Sequence, residues 1–139
     1  MRFSTLAIVS AFFIPALAVA AKPKTVDVVM ADLPVGLPGF GLPKFLPRFE
    51  PPTVDINVGD TVRWTNKGTV PHTVDEGANC LATASGQSFT SGPVMPNGIF
   101  THTFDTAGEF PYFCLPHCAG GSMKGIVSVK ANPTSTNDA

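Results

Sequence analysis

Short stretches in which apolar and polar residues alternate recur along this chain, separated by clusters of Gly, Pro, Asn and Asp. That rhythm is the signature of strands rather than helices. Thr25 to Met30 (TVDVVM) is β-branched and followed by turn-forming residues, which predicts a first strand. Thr53 to Val58 alternates, Gly59-Asp60 turns, and Thr61 to Thr65 (TVRWT) resumes with Val62 and Trp64 on one face, which predicts a hairpin. His72 to Val74 continues extended. Asp75 to Gly98, rich in Gly, Ser, Asn and Pro, predicts mostly loop with one short strand near Gln87 to Thr90. Ile99 to Phe104 (IFTHTF) alternates, Asp105 to Gly108 turns, Phe110 to Cys114 is a strand, and Gly125 to Lys130 (GIVSVK) closes the pattern. Many short strands with Gly/Pro turns and no helical period imply an all-β sandwich or barrel.

Two segments depart from the rhythm. From Leu33 to Phe49 the chain carries Pro34, Pro38, Pro43 and Pro47 among Leu, Phe and Gly, and prolines at that density predict an apolar irregular loop inserted after the first strand. At the start, Arg2 precedes an apolar run from Leu6 to Val19, and Ala16, Ala18 and Ala20 offer A-x-A cleavage sites. This predicts a signal peptide over residues 1–20, cleaved near Ala20, and an exported, periplasmic protein. The run is too short for a stable membrane span, so no stable membrane insertion is expected. Residues 21–131 then form one domain with the insertion at 33–49, and 132–139 form a flexible tail. Cutting after Ala20 removes one base and leaves eight Lys and Arg against ten Asp and Glu, a balance that gives no reason to expect nucleic acid.

Three cysteines, Cys80, Cys114 and Cys118, leave one unpaired in an exported protein, so one has another task. Cys114-Leu115-Pro116-His117 sets a thiol and an imidazole in one tight loop between the last two strands, with Met123 six residues beyond the histidine. A thiolate, two imidazoles and a long axial thioether form the donor set of a copper electron-transfer site, whereas structural zinc favours further cysteines. The second imidazole required is His72, in Pro71-His72-Thr73-Val74.

The stretches Phe49-Glu50-Pro51, Val58 to Asn66 (VGDTVRWTN), Pro71 to Val74, Phe100 to Asp105, Ala107-Gly108, Tyr112-Phe113-Cys114, Pro116-His117 and Met123 to Val127 together resemble the cupredoxin family, especially its plastocyanin-like members, from Val26 to Val129. The resemblance implies a Greek-key β-sandwich of about 7 to 8 strands. It also implies one type 1 copper per chain, with ligand roles for His72, Cys114, His117 and Met123. Two departures stand out. Five residues separate His117 from Met123 where plastocyanin-like loops have four, and Thr73 stands where many members carry an Asn that ties the two ligand loops together. Cys118, directly after His117, resembles the phytocyanin arrangement, which implies a disulfide to Cys80 and leaves Cys114 free for the metal.

His102, between Phe100 and Phe104, reads as a structural histidine, and Trp64 and Tyr112 as core. Met30 and Met95 read as packing or loop residues. The expected function is an exported blue-copper carrier of single electrons by outer-sphere transfer, a monomer and not an enzyme. Copper sequestration or delivery in the periplasm is the alternative, though the four methionines are scattered rather than clustered. A copper enzyme with an open coordination position is a third possibility. Redox protein partners would dock at an apolar patch near His117, to which Leu37, Phe40, Leu42, Phe45 and Leu46 of the insertion would contribute.

Overall fold

The alternating apolar positions line one interior. Val28 and Met30, Val54 and Ile56, Val62 and Trp64, and Val127 and Val129 are all at most 5% exposed, while the residues that alternate with them are more exposed. The computed structural model describes residues 22–35, 44–82, 86–119 and 123–132. Among them are β1 (Thr25–Val35), β2 (Lys44–Glu50), β3 (Thr53–Asn57), β4 (Thr61–Asn66), β5 (Asp75–Ala78), β6 (Leu81–Ala82), β7 (Ile99–Thr103), β8 (Gly108–Phe113) and β9 (Lys124–Lys130). They form two sheets, ordered β2-β1-β4-β7 and β3-β9-β8-β5-β6. The sheets close on each other through aromatic contacts, with Tyr112 of β8 edge-on to Trp64 of β4 at 5.4 Å and to Phe49 of β2 at 4.7 Å. Tyr112 has room because residue 125 is glycine: a Cβ there would lie 2.5 Å from its hydroxyl and 2.7 Å from the Pro52 carbonyl. Burial pushes the Tyr112 phenol up to about 12.

Three sequence expectations are corrected. The described residues of the segment expected to be an irregular loop between Leu33 and Phe49 form a two-stranded ribbon, β1 running antiparallel to β2 from Val29↔Glu50 to Val35↔Lys44; residues 36–43 lie outside the described part. Proline is tolerated because β2 is an edge strand, and because β1 loses its other neighbour beyond Met30, the last residue opposite β4. Second, Thr53 to Thr65 is not a hairpin. β3 pairs with β9 and β4 with β1 and β7, so the Gly59-Asp60 turn carries the chain from one sheet to the other. Alternation reports which face is apolar, not which strand lies alongside. Third, the strand expected near Gln87 to Thr90 shrinks to one bridge, Asp75↔Thr90, while Asp75 to Ala82 contains β5 and β6. The remaining expected strands are present within a residue or two, except that β1 runs five residues past Met30 to Val35.

Asp60 fastens the sheet-crossing turn. Its carboxylate accepts the backbone N–H groups of Asn57 and Lys24, each at 2.9 Å, and the residue is 4% exposed. Burial alone would raise this carboxyl, but the two N–H donors and the Lys24 ammonium outweigh it and hold it below its ordinary range. Such a depressed acid stabilises the fold above its unfolded-state value and loses that contribution as pH falls through the folded one. Asp60→Ala should therefore cost about 1–3 kcal/mol at neutral pH. Urea unfolding of both proteins at pH 7 and pH 3 checks this, and a difference that does not shrink in acid refutes it.

Candidate metal centre

The antiparallel pairing of β5 with β8 sets Asp75 opposite Phe113. Residues just before β5 and just after β8 therefore emerge at the same end of one ladder, which brings His72 beside Cys114 although 42 residues separate them. The loop from Cys114 to Met123 closes the β8–β9 hairpin: Phe113 pairs with Lys124, and the Cys114 N–H donates to the Met123 carbonyl at 3.1 Å. Pro116 helps set a 3-10 turn over Leu115–His117, in which the His117 N–H donates to the Cys114 carbonyl at 3.0 Å. The backbone of His72 is pinned on its other side by reciprocal bonds with Val94, 3.1 and 2.7 Å. Asn66, fully buried, adds amide donors to the carbonyls of Val70 and Val94.

Three donor atoms converge there. His72 Nδ1 and His117 Nδ1 lie 3.1 Å apart, and Cys114 Sγ is 3.4 Å from His117 Nδ1 and 3.7 Å from His72 Nδ1. A first-row ion with bonds of roughly 2.0 to 2.3 Å would separate three trigonal donors by about 3.5 to 3.8 Å. The triangle thus fits such an ion within a few tenths of an ångström. One soft sulfur with two borderline nitrogens is also the donor set that suits copper. His72 and Cys114 are fully buried and His117 is half-buried, so the cluster has two interior corners and one that reaches the surface. Met123 is fully buried in the same core cluster as Cys114.

The surroundings bias the protonation of His72 and Cys114. Burial pushes the His72 imidazole below its usual value; the Asp32 carboxylate opposes that shift, and His117 adds to it. Burial raises the Cys114 thiol despite the Thr73 N–H, 3.3 Å from its sulfur. A cation bound here must therefore displace the thiol proton. Thr73 also performs the bracing expected of an asparagine in that place. Its hydroxyl accepts the Leu115 N–H at 2.9 Å and donates to Asp75 at 2.5 Å, joining the segments that carry His72 and Cys114.

The profile of copper binding proteins of the plastocyanin/azurin family matches residues 46–130. The chain belongs to this family. It is 40% identical over 85 residues to the chloroplastic plastocyanin of Tetradesmus obliquus, covering 59% of this chain and 58% of that one. To the amicyanin of Paracoccus denitrificans it is 37% identical over 84 residues, covering 60% and 59%. The chain thus spans less than two thirds of the length of these two relatives. Among solved structures, a novel purple cupredoxin from Nitrosopumilus maritimus superposes with a TM-score of 0.56 at 27% identity, covering 75% of this chain and 98% of that one. The β-sandwich expected from the motifs is the cupredoxin sandwich.

Other sequence expectations find their places around this cupredoxin centre. Cys80 and Cys118 form a disulfide, and Cys114 is the free cysteine. His102 is half-buried against Phe89 and Phe104, 4.9 and 4.8 Å between ring centres, outside the donor triangle. Trp64, Tyr112 and Met30 are core, and Met95 is an exposed loop residue. Of the five apolar residues assigned to docking, Leu37, Phe40 and Leu42 lie outside the described residues, as does the side chain of Phe45; Leu46 is exposed. Sequence reasoning missed Asp32, whose carboxylate lies 3.0 Å from His72 Nε2. A lone aspartate in an alternating strand carries no signal of what it faces.

Proposed function

We propose that this cupredoxin carries single electrons between redox proteins by outer-sphere transfer, at a copper ion that His72, Cys114, His117 and Met123 would hold. The observation that carries the reading is the donor triangle itself, three side chains from strand ends already spaced for one ion. Copper bound there would supply a one-electron couple. The chain's part is to keep its donors from moving as the charge changes: the β5–β8 ladder, the Val94 bridge and the Thr73 hydroxyl each restrain a donor residue or the backbone beside it. Two buried donors keep solvent from the site, which leaves no place for a substrate and argues for a carrier rather than an enzyme.

His117, at the surface corner, is the exit for the electron. Leu115 in the same loop, Val70 two residues before His72, and Met95 beside Val94 are 64%, 40% and 59% exposed. We assign the partner-docking surface to this apolar rim, to which Leu46 of β2 would add. The disulfide supports an oxidising compartment and, with the signal-like residues 1–20, export to the periplasm.

The copper(II) protein should show an intense visible thiolate-to-copper band, and a colourless copper(II) adduct would sink this reading. In Met123→Leu the band should persist while the reduction potential rises, because the variant removes a weak donor without disturbing the other three. Voltammetry beside the optical spectrum checks it; an unchanged potential removes Met123 from the ligand set.

A further inference from the structure

The ribbon formed by β1 and β2 delivers one charged group to the buried side of the site. Asp32 lies on β1 past the last residue paired with β4, and its side chain is only 3% exposed. A carboxylate taken out of water that far is costly unless it is fully engaged. Here one oxygen faces His72 Nε2 at 3.0 Å, and the other accepts the Thr69 N–H at 2.6 Å and the Thr69 hydroxyl at 3.2 Å. The turn is shaped around this pair. A Cβ on Gly68 would overlap the Asp32 carboxylate, 2.7 Å from its Cγ, and would lie 3.0 Å from His72 Nε2. Gly68 is itself held by the Asn66 side chain, which accepts its N–H at 2.8 Å. Backbone, glycine and threonine thus form a socket that admits a carboxylate and aims it at one ring nitrogen.

An imidazole nitrogen that faces a carboxylate carries the proton, which leaves the other nitrogen with its lone pair. We propose that Asp32 is a positioning residue of the metal centre: its carboxylate holds the Nε2 proton of His72 so that Nδ1 presents its lone pair to the ion, and its negative charge favours the more highly charged copper ion. The inference rests on the assignment of His72 as a ligand. It adds a group from the ribbon that no ligand motif contains.

Two variants separate hydrogen bonding from charge. Asp32→Ala removes the acceptor, whereas Asp32→Asn keeps a carbonyl oxygen of similar shape and removes the charge. In the metal-free wild type, nitrogen-15 NMR should find His72 as the Nε2–H tautomer; in Asp32→Ala the Nδ1–H form should become populated. In the copper-loaded protein, Asp32→Asn should weaken copper(II) binding by about 10- to 100-fold. Copper(I) binding should change less, so a tenfold difference between the two ions raises the one-electron potential by about 59 mV. A wild-type His72 protonated at Nδ1, or an Asp32→Asn potential equal to that of the wild type, overturns the proposal. The proposed function fails by a different result, a copper(II) wild type without its visible band, and the tautomer measurement on the metal-free protein is independent of that outcome.

Discussion

Cys114→Ser should yield a copper(II) protein without the intense visible band, with a sandwich as stable as that of the metal-free parent to within about 1 kcal/mol. The change is nearly isosteric at a fully buried position, and a hydroxyl can still accept the Thr73 N–H that now points at the sulfur. What disappears is the only thiolate available to the ion, since Cys80 and Cys118 are bonded to each other. A serine hydroxyl does not ionise near neutrality and cannot lend sulfur-to-copper charge-transfer intensity. Losing a partner one shell out already costs roughly 10- to 100-fold in metal affinity. Loss of this donor should therefore cost at least about 100-fold. Absorption spectra and competition with a chelator give both numbers. A variant that keeps its colour would mean that the sulfur next to copper is not Cys114.

The second large effect should come from the disulfide. Cys80→Ala combined with Cys118→Ala opens a link between residues 38 apart in sequence, and the chain-entropy relation for a loop of that size gives about 4 kcal/mol. For a domain of this length the melting temperature should fall by on the order of 15 °C. The loss should also reach the site, because Cys118 directly follows His117 and anchors the end of the 3-10 turn that holds it. Calorimetry of the metal-free proteins gives the stability change, and the copper(II) spectrum shows whether the site broadens. A melting temperature within 3 °C or so of the parent would show that the two loops are held by packing alone.

Much of the centre is legible in the sequence because its donors are chemically rare and set in short motifs. Cys114-Leu115-Pro116-His117 and Pro71-His72-Thr73-Val74 announce a thiolate and two imidazoles, and the inner faces of β3, β4 and β9 follow from alternation alone. What alternation does not encode is pairing. It cannot distinguish Thr53 to Thr65 as a hairpin from the same residues split between two sheets, because both leave Val54, Ile56, Val62 and Trp64 facing inward. The prolines of 33–49 mislead for a related reason, since their cost depends on whether a strand has one neighbour or two. Asp32 and Thr73 act through contacts 40 and 42 residues away along the chain, and neither type is unusual where it stands. Apolar faces and donors are thus written locally, whereas strand pairing and the groups that hold the donors are not.

The order of strands also has a consequence for biosynthesis. β3, the third strand, takes as its sheet neighbour β9, the last of the described strands, in parallel register from Thr53↔Ile126 to Asn57↔Lys130. No nascent chain can complete that sheet before residue 130 is free of the ribosome, and parallel pairing at such separation is slow even then. The β2-β1-β4-β7 sheet is made of residues that emerge earlier, so the face that must close over it is the last part of the sandwich to be completed.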